Sequence, residues 1–460
     1  MEILFRGNET ALEGDVTMLL RFRVTNHRSI RDSTELVLTK SSFEGVRPAD
    51  GDWRAATNRI VGIFGSNASG KTNLLDAIQF ALRAIRQSAN WTEEESFPYH
   101  PFALDGLSAT QTSAYEFDFT LTGTRYVYGF ESDAEGVKAE WLSTFPEGRR
   151  RVLFDRSGKG TDNYTFGRFL KGENVRISRK VDTKNLFLSV AAKEGHAQIK
   201  RVHRQLTRHI QYAAYSEDQQ KGRIRAIKKW MESDSIRWRA ESLLKFADLG
   251  ISRLTVEDVE LAPDVLEMAT KVAESVFSTF GENSRFNKEE FMEFFLADQK
   301  RKIKFWHKGG GRAEDYILDI ENESSGTVAW LSLAIPALRA IDNGHVFVVD
   351  EIDASLHPRL TAAFISLFRD AEINTKGAQL IFASHDTSLM GHLAGGALEK
   401  EDVWFAEKDG AGASEYYPLT DFPVKADHNL ERRYLSGRYG AVPAVSWEDL
   451  RASLVVGEHE

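Results

Sequence analysis

Cysteine is absent from the sequence, so neither a disulfide bond nor a thiolate metal site contributes to its fold or function. The sequence also lacks any apolar run of about eighteen residues, the length that a transmembrane helix needs. Its first residues, MEILFRGNETALEGDVT, have neither the basic start nor the apolar stretch of a signal peptide. Together these absences predict a cytoplasmic protein with no membrane partner.

The sequence also lacks an excess of positive charge. Its formal net charge is -9, which argues against a uniformly basic nucleic-acid-binding protein. Positive charge is nevertheless concentrated in residues 161–240, which contain 18 Lys and Arg against 8 Asp and Glu. Such a stretch is typical either of a solvated helical surface or of a surface that contacts a polyanion, and both interpretations stay open.

A glycine-rich motif is the strongest signal that is present. Residues 65–72, GSNASGKT, match the pattern G-x-x-x-x-G-K-[ST] of a phosphate-binding P-loop. The apolar run IVGIF before the motif predicts a buried strand, and apolar residues at helical spacing follow it. Backbone N–H groups at such a strand-to-helix turn bind phosphates. The sequence therefore predicts that ATP is bound by Gly65, Asn67, Ser69, Gly70, Lys71, Thr72 and Asn73.

Two acidic residues follow a second apolar run, HVFVV, at residues 345–349. This run predicts a buried parallel strand that carries Asp350 and Glu351 to the ligand-binding edge of a sheet. Because neighbouring strand residues point to opposite sides, the two acids can take different roles. We expect Asp350, with the Thr72 hydroxyl, to hold Mg²⁺, and Glu351 to polarise the attacking water. A third apolar run ends at His385, which we expect to sense the γ-phosphate.

Hydroxyl-bearing and small residues precede a mostly apolar helix predicted over residues 328–341. They are Ser324, Ser325, Gly326 and Thr327. Such a helix start can bind an anion, and here it could close over the nucleotide of a partner subunit. On this segment alone, ordinary helix capping by Ser or Thr is the stronger interpretation.

Five motifs in this order resemble the ABC-type ATPases of the SMC/RecF group. They are GSNASGKT at 65–72, ESSGT at 323–327, VFVVDEID at 346–353, ASLHP at 354–358 and ASHD at 383–386. Within that group the chain resembles the short AAA-type ATPases of bacterial anti-phage and abortive-infection loci, of the AbiL, RloA and PARIS-ATPase type. The early segment LLRFRVTNHRSI at 19–30 fits the same pattern, whereas residues 150–310 resemble the group much less.

The resemblance implies an α/β fold: an ABC-type P-loop NTPase with a two-lobed mixed sheet core and an inserted helical lid. It implies that Ser324, Ser325 and Gly326 form a signature that contacts the γ-phosphate of the other subunit, with Ser355 in the D-loop and His385 as the switch histidine. The signature departs from the family pattern because it lacks the usual Leu and the second Gly. A Q-loop glutamine cannot be placed.

The chain divides by composition into five predicted parts. Residues 1–17 are an extension, 18–155 a β-rich lobe with the P-loop, 156–300 a helical lid, 301–410 the second ATPase lobe, and 411–460 a tail. Three aromatic residues of the lid are expected in its core rather than as stacking platforms: Trp230, Trp238 and Phe246.

The resemblance favours an ATP-hydrolysing molecular switch of an anti-phage defence system. Its partners would be a second copy of the chain and a separately encoded effector, a nuclease or toxin, with a nucleic acid or a phage-derived molecule as the candidate trigger. The alternative is a RecF-like DNA-binding repair ATPase, which the basic stretch favours and the overall acidity disfavours.

Overall fold

A computed structural model describes residues 17–92, 94, 97–158, 163–214, 217–247, 250–280, 287–308, 315–391, 397–425, 428–443 and 446–455. The predicted extension, 1–17, therefore lies outside the described residues except for Thr17. Within the described part, a larger unit comprises residues 17–213, 340–353 and 357–455, and a smaller unit comprises 214–339 and 354–356. None of the helices in the described ranges combines the length and apolar character that a bilayer crossing requires.

Most strands and helices of the larger unit lie before and after those of the smaller unit along the chain. The first part of the larger unit contains β1 Leu19–Thr25, β2 Thr34–Val37, α1 Trp53–Ala56, β3 Ile60–Phe64, α2 Lys71–Gln87, β4 Ser113–Leu121, β5 Thr124–Asp133, β6 Gly136–Phe145, β7 Arg151–Ser157, β8 Tyr164–Phe166, α3 Asn174–Ser178, α4 Phe187–Lys193, α5 Ala197–His209 and β9 Ile210–Ala213. The smaller unit contains α6 Glu217–Trp230, α7 Asp234–Phe246, β10 Ile251–Asp258, α8 Pro263–Phe280, α9 Lys288–Lys300, β11 Arg301–Lys308, β12 Asp315–Asp319 and the start of α10 Ser325–Asn343. The larger unit resumes with β13 Val346–Val349, α11 Pro358–Arg369, β14 Gln379–Ala383, β15 Val403–Lys408, β16 Ser414–Pro418, α12 Leu430–Leu435 and α13 Trp447–Val455.

An antiparallel sheet with the strand order β2-β1-β4-β5-β6-β7-β8 forms one layer of the larger unit. The alternation of aromatic residues on β4 and β5 predicts a hairpin, and the structure confirms it with Phe117 opposite Tyr128. Phe22, Phe117 and Tyr128 are fully buried on this sheet. The sheet therefore has the pattern of an antiparallel layer that packs one face on a core.

A second sheet has the order β16-β15-β3-β14-β13-β9. Its strands β15, β3, β14, β13 and β9 run parallel, and only β16 is antiparallel to its neighbour. Strands β3, β13 and β14 are buried along their whole lengths, as the uninterrupted apolar runs of the sequence predict. The amide of Gln379 on β14 joins this sheet to β1, because it accepts from Leu19 N at 2.8 Å and donates to Leu19 O at 3.0 Å.

Helix α2 follows the P-loop and belongs to a core cluster shared with both sheets. Its apolar residues, among them Leu74, Leu75 and Ile78, are fully buried and belong to the same cluster as Phe22 and Ile63. A helix with a broad apolar face is stable when that face is enclosed in a core. The packing on both sides therefore fixes the position of the helix start, where the P-loop ends.

The smaller unit contains the antiparallel sheet β10-β11-β12 and the helix pair α8 and α9. Phe277 and Phe291 join these two helices, with their ring centroids 5.5 Å apart. The sequence-based expectation that Trp238 and Phe246 lie in the core is wrong, since 69% of Trp238 and 62% of Phe246 are exposed. Helix α7 is amphipathic, but Ala240 and Leu244 form its buried side, so the two aromatic residues fall outside it.

Candidate functional site

The loop between β3 and α2 has the backbone geometry of a phosphate cradle. Gly65 and Gly70 have positive φ angles of 155° and 108°. A Cβ atom at Gly65 would lie 2.2 Å from the carbonyl oxygen of Ala406, and one at Gly70 would lie 2.1 Å from Oγ of Ser414. Both glycines are therefore required by conformation and by space. The residues predicted from the motif form one continuous turn at the start of α2.

Lys71 is the first residue of α2, and its side chain is turned back onto the loop. Its Nζ donates to the carbonyl oxygens of Gly65 at 2.8 Å and Ser66 at 2.9 Å, and lies 3.2 Å from Nδ1 of His385. Burial lowers the pKa of Lys71 to about 8, although the carboxylates of Asp353 and Asp350 oppose this shift. The ammonium group is thus held in a partly desolvated position where an anionic ligand would be favourable.

Ser69 supplies an independent sign of a ligand. Its Oγ is buried and has no hydrogen-bond partner among the described residues. An unsatisfied buried hydroxyl costs roughly 1–3 kcal/mol. A ligand bound in the loop would supply the hydrogen bond that the Ser69 hydroxyl lacks, which explains why this group is buried without a partner.

Asp350 and Thr72 face each other at the edge of the parallel sheet. Oγ1 of Thr72 donates to Oδ1 of Asp350 at 3.2 Å. Burial is the main cause that raises the pKa of Asp350 to about 6; the hydrogen bond from Thr72 opposes this shift and the nearby Glu351 carboxylate contributes to it. A hydroxyl and a carboxylate are the hard oxygen donors that Mg²⁺ prefers, so this pair fits the predicted cation.

Glu351 differs from Asp350 in both exposure and backbone conformation. Strand β13 ends at Val349, so the two acids follow the strand rather than lie on it. Glu351 is exposed and has a left-handed φ of 52°, whereas Asp350 is buried. The turn after the strand separates the two carboxylates, in place of the strand alternation that the sequence suggests. A non-glycine residue in this conformation is a local strain that is often found at functional sites.

His385 follows β14 and completes the group around Lys71. Its backbone N lies 3.4 Å from Oδ1 of Asp353, which belongs to the turn after β13. Burial lowers the pKa of His385, and the positive charge of Lys71 lowers it further. At neutral pH the imidazole is therefore neutral and can accept a hydrogen bond from the ammonium group.

Four polar side chains brace the P-loop from the side of the core. Ser414 Oγ donates to Ser69 O at 2.7 Å, and Tyr416 Oη donates to Gly70 O at 2.7 Å. Ser29 Oγ lies 2.7 Å from Ser414 Oγ and accepts from Nδ2 of Asn73 at 2.6 Å. Asn73, predicted to bind ATP, thus directs its amide to this brace. Sequence reasoning missed Ser414 and Tyr416 because no local motif marks them, while Ser29 lies in the segment NHRSI at 26–30.

The predicted signature and D-loop lie in the smaller unit. Ser324 Oγ accepts from the backbone N of Thr327 at 3.1 Å, so it caps α10 as the capping interpretation expects. Ser324 and Ser325 are exposed. A Cβ atom at Gly326 would lie 3.1 Å from the carbonyl oxygen of Ser355, which places the signature glycine beside the D-loop. Within this unit the two predicted motifs are therefore neighbours.

Residues 60–391 match the model of a protein family described as "AAA domain, putative AbiEii toxin, Type IV TA system". This match spans more than half of the chain and includes the P-loop, Asp350, Glu351 and His385. The chain belongs to this AAA-domain family. It is an AAA-type P-loop ATPase domain, and the predicted α/β fold class is confirmed.

Solved SMC head domains are also similar to this AAA-domain chain. The head domain from Thermotoga maritima is 14% identical, with a TM-score of 0.37, and the match covers 88% of this chain and 99% of that one. The head domain derived from Pyrococcus furiosus, with an extended coiled coil and bound to the C-terminal domain of ScpA, is 15% identical, with a TM-score of 0.36 and coverage of 88% and 97%. Similarity at this level carries no inference about activity or partners. A search of curated proteins found no significant match.

Proposed function

We propose that this AAA-domain chain is a Mg²⁺-dependent ATPase switch of a bacterial anti-phage defence system, and that its dimerisation upon ATP binding controls a separate effector. One observation supports the proposed ATPase activity. Lys71, Thr72, Asp350 and His385 converge on a P-loop whose Ser69 hydroxyl has no partner among the described residues. The family description, which names a toxin and a toxin–antitoxin system, supports the defence part.

The residues around the P-loop would divide the work of ATP binding. Loop N–H groups and Lys71 bind the phosphates, and the ammonium exchanges the Gly65 and Ser66 carbonyls for phosphate oxygens. Thr72 and Asp350 hold Mg²⁺, which neutralises charge on the phosphates when it is bound. The raised pKa of Asp350, caused mainly by burial, means that its carboxyl binds a cation best above about pH 6.

Glu351 would orient and deprotonate the attacking water. A bond forms between the water oxygen and the γ-phosphorus, and the bond to the β–γ bridging oxygen breaks with its electron pair on ADP. The proton of the water passes to the Glu351 carboxylate. His385, neutral at pH 7, then contacts the γ-phosphate oxygens as the sensor of the triphosphate state.

Dimerisation would complete each site with a signature from the second copy. The exposed Ser324 and Ser325 begin α10, and Gly326 lies beside Ser355 in the same unit. In this proposal the three signature residues contact the γ-phosphate bound to the other subunit. Hydrolysis removes that phosphate and so reopens the dimer, which gives the switch its two states.

Replacing Glu351 by Gln tests the enzymatic step. We expect turnover of Mg²⁺-ATP to fall more than about tenfold, or roughly 1.4 kcal/mol of barrier, while ATP binding persists and the ATP-bound dimer accumulates. The matched control is Glu372→Gln, at an exposed glutamate after α11. Turnover within tenfold of the wild type would show that Glu351 is not the base.

The effector is tested by co-purification of the tagged chain from cells that express its native locus, with and without phage. We expect a separately encoded nuclease or toxin to co-elute, and its release to depend on ATP. Purification without any partner in both conditions would contradict effector control.

A RecF-like DNA-binding ATPase is the second candidate, favoured by the excess of positive charge in residues 161–240. This function predicts binding to duplex DNA that weakens steeply as the salt concentration rises. Absence of a salt-dependent interaction with duplex DNA, with ATP present, would remove this candidate.

A further inference from the structure

A pocket lined by four arginines lies at the turn between β6 and β7, and nothing in the ATPase chemistry uses it. The turn has positive φ angles at Glu147 and Gly148, and Arg149 N donates to Pro146 O at 3.1 Å. It places Arg149, Arg150 and Arg151 in succession at the start of β7. The pocket has a volume of about 460 Å³, and its lining comprises these residues with Val152, Gly167, Arg168 and Phe169. We call it the arginine pocket.

The segment after β8 forms the second side of the arginine pocket. Gly167 N donates to Leu153 O at 2.9 Å, which holds this segment against β7. A Cβ atom at Gly167 would lie only 1.9 Å from the carbonyl oxygen of Val152, so only glycine allows this approach. The close contact brings Arg168 and Phe169 beside Arg151. The pocket is thus a product of specific backbone packing and not a chance meeting of flexible side chains.

Phe169 orders two of the guanidinium groups. The central carbon of Arg151 lies over its ring at 4.4 Å from the centroid, and that of Arg168 at 4.7 Å. Cation–π contacts of this kind hold arginines in place while leaving their N–H edges for hydrogen bonds. With two cations over it, the ring does not serve as a platform on which a base stacks. Recognition in this pocket therefore depends on charge and on N–H donors.

The four arginines lack the ion pairs that their neighbours in the same sheet make. Arg125 pairs with Asp118 and Arg156 pairs with Glu140. By contrast, no carboxylate among the described residues pairs with Arg149, Arg150, Arg151 or Arg168. Arg150 has a single side-chain hydrogen bond, from Nε to Ser143 Oγ at 3.2 Å. Arg149, Arg150 and Arg168 are exposed and Arg151 is partly buried, so water solvates the four charges when no ligand is bound. An anion in this space would be attracted by all four guanidinium groups and could accept hydrogen bonds from their N–H donors.

We propose that the arginine pocket binds a compact, multiply charged phosphate group, such as the di- or triphosphate of a nucleotide or of a nucleic-acid end. Guanidinium groups recognise phosphate through paired N–H donors. The charges converge on one space, whereas the phosphates of a nucleic-acid backbone carry one charge each along an extended path, which a stripe of cations would match better. This second phosphate site would let a phosphorylated ligand act on the protein away from its P-loop.

Inorganic tripolyphosphate, titrated calorimetrically into the full-length chain, tests the proposal. A Lys71→Ala background weakens binding at the P-loop, so that the remaining signal reports the pocket. We expect Arg151→Ala with Arg168→Ala to lower the affinity for tripolyphosphate at least about tenfold. The matched control is Arg47→Ala with Arg179→Ala, which removes the same charge from two exposed positions outside the pocket and should leave the affinity unchanged.

Two further experiments distinguish a site for a compact phosphate group from a site for a nucleic-acid backbone. Arg151→Lys with Arg168→Lys keeps the charge but loses the paired donors, so an affinity between those of the wild type and the alanine variant is expected. Thermal melting confirms that each variant is folded. Equal affinity of the pocket and control variants for tripolyphosphate would overturn the proposal. Pocket-dependent binding of a single-stranded oligonucleotide without a terminal phosphate, uncontested by tripolyphosphate, would overturn it in favour of a backbone site.

Binding at the arginine pocket can be measured independently of the proposed ATPase activity. In the wild-type background, the Arg151→Ala, Arg168→Ala variant should retain the ATP affinity of the P-loop. Loss of tripolyphosphate binding at the pocket with intact ATP binding identifies a second site, whatever the outcome for Glu351.

Discussion

Among single residues, Asp350 of the candidate site is a carboxyl group whose charged form is destabilised by burial. Asp350 has a pKa raised from 3.8 to about 6, chiefly by burial. The folded protein therefore binds this proton more tightly than the unfolded chain does. The stability that the protonated carboxyl contributes is fully present below about pH 4 and is lost as the pH rises through about 6.

Replacing Asp350 by Asn should consequently stabilise the metal-free and nucleotide-free protein. At pH 7.5 we expect a gain on the order of 2–3 kcal/mol in the free energy of unfolding, since the neutral amide avoids burial of a charge. The gain should shrink at pH 4.5. Denaturant unfolding at both pH values with a chelator present measures it, with the exposed Asp421→Asn as control. An equal effect at both pH values would contradict the assigned cause.

Lys71 is the residue whose replacement should have the largest effect on ATP binding. Its replacement by Ala removes the only ammonium group that contacts the P-loop carbonyls among the described residues. In the Arg151→Ala, Arg168→Ala background, which removes the proposed second phosphate site, Lys71→Ala should abolish ATP binding in a direct titration. Lys171→Ala, at an exposed lysine, should bind ATP normally in the same background. Unchanged affinity in Lys71→Ala would remove this residue from the phosphate site.

The sequence predicts the residues of this site where a local motif encodes them. Gly65, Gly70 and Lys71 follow from the spacing of one loop, and Asp350 and His385 from the ends of apolar strands. Ser414 and Tyr416 do not, because their contacts with the loop depend on the packing of a distant hairpin. The exposure of Trp238 and Phe246 does not follow from the sequence, because the side of a helix that is buried depends on the elements that pack against the helix.

At the scale of elements, the hairpin of β15 and β16 supports the P-loop. Ser414→Ala removes the hydrogen bonds to Ser69 O and to Ser29, each worth about 0.5–1.5 kcal/mol. We expect an affinity for ATP that is lower by roughly three- to tenfold, together with a loss of about 1–3 kcal/mol in the free energy of unfolding for the two hydrogen bonds. Ser33→Ala, at an exposed serine, is the control. Wild-type affinity in Ser414→Ala would show that the loop keeps its shape without this brace.

A buried carboxylate joins the antiparallel sheet to helix α4. Glu140 on β6 accepts from the backbone N of Phe187 at 2.6 Å and of Leu188 at 2.9 Å, and lies 3.6 Å from Arg156. Glu140→Ala would leave the buried Arg156 without its carboxylate and the start of α4 without acceptors. We expect a loss of about 3–5 kcal/mol in unfolding free energy by denaturation. Exposed Glu135→Ala should change it by less than about 0.5 kcal/mol. Equal losses in the two variants would contradict this role.

Individual strands and helices can be predicted where the apolar periodicity is strong, because this periodicity is a local property of the sequence. Strands β3, β13 and β14 and helix α2 lie where the sequence predicts them. The order of strands in the sheets cannot be predicted in this way, because it depends on contacts between distant segments. Strands β9 and β13, for instance, pair although they share no sequence motif. The sequence also predicts strand character over residues 302–322, interrupted by the three glycines at 309–311, and these glycines lie outside the described part of the chain.

At the scale of the whole molecule, the switch proposal requires sites that are shared between two copies. A Glu351→Gln chain and a Ser324→Arg chain, each inactive alone, should regain activity when mixed. Half of random dimers would contain one of each, and each such dimer would hold one intact site, so roughly a quarter of wild-type turnover is expected. Mixing either variant with itself is the control. Failure of the mixture to recover any turnover would indicate sites built within single chains.

The order of strands in the parallel sheet also bears on how the protein is made. Ile60 of β3 pairs with Leu380, and Gly62 pairs with Phe382 and Val403, so both neighbours of this apolar strand come late in the chain. At translation rates of about 5–20 residues per second, both edges of β3 stay open for roughly 20 seconds to a minute after it leaves the ribosome. Asp350 and His385 also come late in the chain, so the proposed ATP site is complete only after most of the chain has been made, and until then the unpaired IVGIF strand is exposed to edge-to-edge aggregation.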